Sequence, residues 1–407
     1  MRLERIEIDR SPDRPSAVRL SGVVRYDVPF GGKTEETIWY EVPEAYAPWL
    51  SDSGDPWLAG LLPVAVVAGE RLQIPRPVDA AMLDNAHAMM QVWRVCHPQR
   101  RPVAIEADVA APAAAPPPPG RTAAFFSGGV DSFHTALRPR AAPIDDLLLV
   151  LGSFDLLSGD AATYERVRAK LQVAADALGK VLVPVTTNQM RTRMAATDAK
   201  YFSGSGMLAA AALALERRYR RVIMSSCVDM SSLRENGGQV YVTPLLSTAR
   251  TRFDEEGVAL SRVAKTERVA LSDTALAALR VCFMSGDQTN CGECVKCLRT
   301  MIALEALGAL GRAPGFVHRT LDARRVERVT VVDSHERHYY EELPPFCRAH
   351  GREDLARAVE RALARSRRHD LIRPFVRWLR HFPVVGPATH RLEALVQDKG
   401  RVEYRKA

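Results

Sequence analysis

Two short stretches of the 407-residue chain place chemically capable residues at tight spacing. The first is Ser127-Gly128-Gly129-Val130-Asp131-Ser132. Adjacent glycines let the backbone turn sharply and expose consecutive N–H groups. A helix starting behind them adds partial positive charge, so the loop is a nest for an anion. Ser127 and Ser132 can add hydroxyl donors to phosphate oxygens. Asp131 is misplaced as a direct phosphate ligand, because like charges repel, but it can hold Mg²⁺ or cap the helix. The second stretch holds four of the seven cysteines, Cys282, Cys291, Cys294 and Cys297, spaced C-x₈-C-x₂-C-x₂-C. Two-residue gaps turn neighbouring thiolates toward one ion, and four sulfurs close a tetrahedral Zn²⁺ shell with no open position. That is the pattern of a structural zinc. An iron–sulfur cluster uses the same ligands and is the rival assignment, with no radical or redox motif beside it.

The elements that must position these residues are legible as changes of pattern. Residues 1–108 read as a β-rich N-terminal domain, with strand-like runs at 17–20, 23–28 and 37–42 and a helix over 78–95. Gly31-Gly32-Lys33-Thr34 looks like the end of a nucleotide-binding loop, but Asp27 stands where a further glycine is required, and a hairpin turn between strands explains it more simply. The Ala/Pro run at 109–120 contains four consecutive prolines and reads as a polyproline linker. From residue 121 strands alternate with helices: strands at 122–126, 146–151, 181–185 and 221–226, helices at 131–137, 164–178 and 206–219. This alternation predicts an α/β fold, a Rossmann-like parallel sheet with flanking helices and a ligand at the carboxyl ends of its strands. Residues 311–407 read as an arginine-rich, mostly helical C-terminal region after a short β-like piece at 326–332.

A short apolar strand, Ser-Gly-Gly-x-Asp-Ser and a helix, in that order, resemble the PP-loop ATP pyrophosphatases, which cleave ATP to AMP and pyrophosphate while adenylating a substrate. A PP-loop followed by Cys-x₈-Cys-Gly-x-Cys-x-Lys-Cys-x-Arg narrows the resemblance to the 7-cyano-7-deazaguanine synthase (QueC) family, over roughly residues 121–305. The resemblance implies a domain over 121–310 of adenine-nucleotide-hydrolase-like fold, carrying a zinc knuckle at 282–297. It implies ATP held by Ser127, Gly128, Gly129, Val130, Asp131 and Ser132, with Asp155, after the second strand, near adenine and ribose. The expected reaction activates a carboxylate or amide for attack by ammonia or an amine, on a 7-deazaguanine or on a protein or peptide acceptor. The family's glycine-arginine-asparagine stretch is replaced by Tyr201-Phe-Ser-Gly-Ser-Gly206, and the flanking regions are additional, so the acceptor is expected to differ. Two alternatives stand beside this: a PP-loop tRNA thiolase with Cys227 or the cluster carrying sulfur, and a non-catalytic ATP-sensing scaffold.

Arg262 and Lys265 are one helical turn apart, facing either phosphate or solvent; Lys265 joins Asp131 and Ser132 as a catalytic candidate. Asp229, Asn188 and Arg191 follow predicted strands and are either ligand contacts or loop residues, while His134 reads as packing. A hydrophobic share of 47% with 26% charged residues excludes a mainly disordered chain. The most apolar stretch, 57–69, is too short to cross a bilayer, which takes about 20 residues, and the N-terminus lacks the apolar core of a signal peptide. A cytoplasmic protein with no membrane partner is expected, its cysteines kept reduced. Of the net charge of +8, residues 352–407 carry +7, so the excess belongs to the tail and not to the ATP-using body. A solvated arginine face is the simpler reading, nucleic acid the less favoured one, and the N-terminal domain is the expected contact for a partner protein.

Overall fold

The computed structural model of the chain describes residues 1–111, 120–153, 161–227, 238–282, 290–331 and 334–379. Two compact units divide it, Met1–Leu260 and Ser261–Ala407. These limits do not coincide with the expected boundaries, and the reason lies in the sheet.

The first unit contains one mostly parallel ten-stranded sheet flanked by helices. In chain order its strands are β1 (Arg2–Arg10), β2 (Ala17–Phe30), β3 (Lys33–Pro43), β4 (Leu72–Val78), β5 (Ile105–Val109), β6 (Arg121–Phe125), β7 (Asp146–Leu151), β8 (Val181–Thr187), β9 (Tyr219–Ser225) and β10 (Arg252–Glu256). Its spatial order is β10-β9-β6-β7-β8-β3-β2-β1-β4-β5. The five strands from β10 to β8 are mutually parallel. The front of the chain joins them antiparallel through β3, with Tyr40 opposite Thr187 and Glu41 opposite Thr186. Residues 1–108 therefore do not form a sheet of their own. One apolar cluster runs from Met1, Leu20 and Tyr40 through Trp57 and Met90 to Phe125, Val183, Met207 and Phe253. It crosses the expected linker, whose interior, 112–119, lies outside the described residues.

Local chemistry explains most of these elements. Gly31 and Gly32 take φ of 55° and 78°, the left-handed pair that a two-residue hairpin between β2 and β3 needs. Strand β7 is buried along its whole length, including Asp146, which pairs with Arg121 at 2.8 Å and Arg218 at 2.6 Å. The helices are α1 (Asp55–Ala68), α2 (Ala80–Cys96), α3 (Val130–Leu137), α4 (Ala161–Ala177), α5 (Gly204–Leu213) and α6 (Gln239–Leu245). The apolar stretch at 57–69 is α1, a buried core helix lying against α5. Their backbones touch: a Cβ on Gly206 would stand 2.5 Å from the Ala59 carbonyl oxygen. No helix among the described residues is long and apolar enough to cross a membrane.

The second unit is helical: α7 (Arg262–Ala270), α8 (Asp273–Ala278), α9 (Val295–Ala306), α10 (Ala323–Glu327), α11 (Ser334–Glu341), α12 (Leu343–Ala349) and α13 (Glu353–Leu379). Ser261, Ser272, Cys294 and Asp322 cap α7, α8, α9 and α10 with their side chains. The β-like piece expected at 326–332 is corrected here. Asp322 starts a helix that takes in Val326, and Val329 and Val331 then bury as irregular chain. Arginines of α13 are engaged by their own unit: Arg361 pairs with Glu327, Arg367 with Glu341 at 2.8 Å, and Arg365 donates to the Val329 carbonyl at 2.6 Å. These three arginines of α13 thus have partners within their own unit, and residues 380–407 lie outside the described residues.

Candidate functional sites

Strand β6 lies at the middle of the five parallel strands, between β7 and β9. From β6 the chain proceeds through α3 to β7 and on to β8. It then returns through α5 to β9 on the other side of β6. Such a reversal opens a crevice outside the carboxyl end of the first strand. Ser127–Ser132 occupies that position. Phe126 N–H donates to the Leu148 carbonyl at 2.9 Å, tying the start of the loop to β7. Gly128 turns at φ 78°, where a side chain would strain the backbone. Gly129 is extended and precedes α3, whose N-terminus no side chain caps. The first helical bond runs from Phe133 N–H to the Gly129 carbonyl at 3.0 Å. The N–H groups of Val130, Asp131 and Ser132 therefore have no partner within the helix. They stand at the start of α3, directly behind the Gly128–Gly129 segment. The Ser132 hydroxyl donates to the Gly129 carbonyl at 3.0 Å, so it closes the loop upon itself. Ser127, Gly129 and Asp131 are half-buried, and Asp131 is the acidic residue in the first turn of α3.

Neighbouring strand ends complete the surroundings. After β7, Gly152 takes φ 84° and lies so close to β8 that a Cβ would stand 2.0 Å from the Thr187 carbonyl oxygen. Ser153 follows, fully buried, its hydroxyl without a partner among the described residues. Asp155 and Asp229 lie outside the described residues. Asn188 serves the sheet and not a ligand: its Oδ1 accepts from Trp39 N–H at 2.9 Å and its Nδ2 donates to the Thr37 carbonyl at 2.7 Å. Arg191 is exposed in a single turn, His134 is buried, and Cys227 is half-buried just beyond β9.

In the second unit, the Sγ atoms of Cys282, Cys291, Cys294 and Cys297 lie within 4.8 Å of one another. A tetrahedral ion about 2.3 Å from each sulfur sets them about 3.8 Å apart. Cys291 and Cys297 are at 3.8 Å, well beyond the length of a disulfide. A cluster of several irons interposes more atoms and spreads its cysteines wider. Backbone amides converge on the sulfurs: Cys294 N–H donates to Cys291 Sγ and Cys297 N–H to Cys294 Sγ, both at 3.4 Å. Gly292 turns the knuckle at φ 72°, with the His318 ring 2.8 Å from where its Cβ would be. Hydrogen bonds from Cys291, Cys294 and Cys297 hold the Cys282 thiol far below its ordinary range. Contacts with Cys282, Cys291 and Cys294 push the Cys297 thiol far above it. Thiols this close cannot all ionise together without a compensating positive charge, which a bound dication supplies. The donor set, spacing and charge fit a metal ion such as zinc.

Lys265 belongs to this second unit. It is 2% exposed in α7, so the solvated-face reading of this residue is corrected. Arg262 lies over the Tyr339 ring at 5.0 Å and Arg299 over the same ring at 4.2 Å, with Arg299 bound to Glu336 at 2.6 Å. Sequence reasoning finds neither this buried cationic group nor the glycine contact at Gly152, because both depend on residues distant in the chain. Compared with known protein families, curated proteins and solved structures, the chain matches none.

Proposed function

We propose that the first unit is an ATP-dependent adenylating enzyme and that the second carries a structural zinc. The observation that carries this reading is the Ser127–Ser132 nest at the carboxyl end of the central strand, where the sheet reverses direction. The nest is suited to a polyphosphate: its backbone N–H groups and the start of α3 would stabilise the charge that gathers on pyrophosphate as it leaves. A carboxylate or amide oxygen of the acceptor attacks the α-phosphorus, and pyrophosphate departs. Ammonia or an amine then attacks the activated carbon, a C–N bond forms, and AMP leaves with the acceptor oxygen. Asp131 is the residue we assign to Mg²⁺, since a single carboxylate together with phosphate oxygens is a usual way of holding that ion; Mg²⁺ would screen the departing charge. In the second unit Cys282, Cys291, Cys294 and Cys297 would hold zinc in a closed shell and tie the knuckle to α9. Thiolate ligands stay reduced in the cytoplasm, where we place the protein.

The test supplies ATP, Mg²⁺, ammonium and candidate acceptors, deazaguanines first and then peptides, and follows nucleotide products by mass spectrometry. AMP and pyrophosphate are expected, falling at least about 100-fold in Asp131→Ala, the scale of a lost electrostatic contact. Release of ADP and phosphate without AMP would sink the adenylation reading.

A further inference from the structure

Cys282 reaches the cluster from the chain after α8, whereas the other three cysteines belong to one knuckle, so the two segments must be held in register. Asn290, directly before Cys291, is fully buried between them. Its Oδ1 accepts from the backbone N–H of Val281 at 2.8 Å and of Cys282 at 3.1 Å. Its Nδ2 donates to the Leu279 carbonyl at 3.0 Å. The Asn290 backbone is fixed as well: its N–H donates to the Gly315 carbonyl at 2.7 Å, and a parallel bridge pairs it with Phe316. Through its side-chain amide and its backbone, this one residue therefore joins three segments of chain, those bearing Cys282, Cys291 and Phe316.

We propose that Asn290 is the positioning residue of this metal centre, holding the Cys282 sulfur in register with Cys291, Cys294 and Cys297. The proposal rests on the metal reading of the four cysteines. A planar amide suits the task because it presents an acceptor to two N–H groups and a donor to a carbonyl at once. Aspartate at 290 would keep the acceptor, turn a second oxygen against the Leu279 carbonyl and add negative charge beside the thiolates. Alanine would keep neither bond. Groups that orient metal ligands without touching the metal change affinity by about 10–100-fold.

The test uses the full chain and Co²⁺ as the probe. Affinity is measured by competition with a chelator, and geometry by the thiolate-to-cobalt charge-transfer and d–d bands. The unmodified chain should bind one Co²⁺ with a tetrahedral tetrathiolate spectrum. Asn290→Ala should keep the far-ultraviolet circular dichroism yet bind Co²⁺ about 10–100-fold more weakly, with shifted d–d bands. If Asn290→Ala does not fold, Asn290→Asp is read in its place, with weakening and band shifts of the same kind expected. A folded variant with unchanged affinity and bands overturns the role of Asn290 and leaves the metal centre standing. An unmodified chain without the charge-transfer band overturns the metal reading and the proposal with it.

Discussion

Asp55 shows how far a single carboxyl can be moved by its surroundings. It opens α1 in a buried position, accepts the Asp79 N–H at 2.8 Å, and is pushed up to about 7 by burial and then by the Glu216 charge. In the unfolded chain the same group titrates near 3.9. The folded state thus binds its proton more tightly. Stability from this group is full below about pH 4 and declines as pH rises toward 7. Asn at this position keeps the acceptor and removes the titration. Urea midpoints of Asp55→Asn and the unmodified chain should therefore diverge in the variant's favour between pH 5 and pH 8. A constant difference across that range would show that Asp55 does not titrate there. Some local arrangements are legible in residue spacing and others are not, for physical reasons. The cysteine spacing and the Gly128-Gly129 turn act through near neighbours, so the sequence displays them. Asn188 looks like a ligand contact until β3 uses both ends of its amide, and Lys265 looks like a surface residue until its unit closes over it.

Among elements, the contact between α1 and α5 leaves little room. Gly206 meets the Ala59 backbone, and a Cβ on Gly60 would lie 3.2 Å from Ala210 Cβ and from Met194 Cε. The Tyr201–Gly206 stretch, which departs from the resembled family's pattern, here lets two buried helices approach. Gly206→Val should cost about 1–3 kcal/mol by overpacking, measured as a lower urea midpoint with the slope unchanged. A variant as stable as the parent would mean that α5 can shift away from α1. Strands and helices with clear periodicity, such as β7, α2 and α4, were evident from composition. The false strand at 326–332 arose because valine favours strands, while the Asp322 cap that decides for helix lies outside that window.

For the whole molecule, the informative feature is that the front of the chain and the parallel strands share one sheet and one apolar cluster. Proline runs signal a change of local conformation, and nothing local tells a strand which distant strand it will pair with; the expected boundary at 109–120 failed for that reason. Removing residues 1–111 would strip β3 from β8 and open the cluster around Trp57, Met90 and Met207. The truncated chain should aggregate or show a collapsed near-ultraviolet spectrum, and a monodisperse product with native spectrum would establish an independent front. The pairing also governs how the protein emerges from the ribosome. Tyr40 leaves the tunnel about 150 residues before its partner Thr187. At about 5–20 residues per second, the β3 edge waits roughly 7–30 s for the strand that covers it. During synthesis the β1–β3 ribbon therefore keeps the β3 edge unpaired, open to pairing with another chain until β8 covers it.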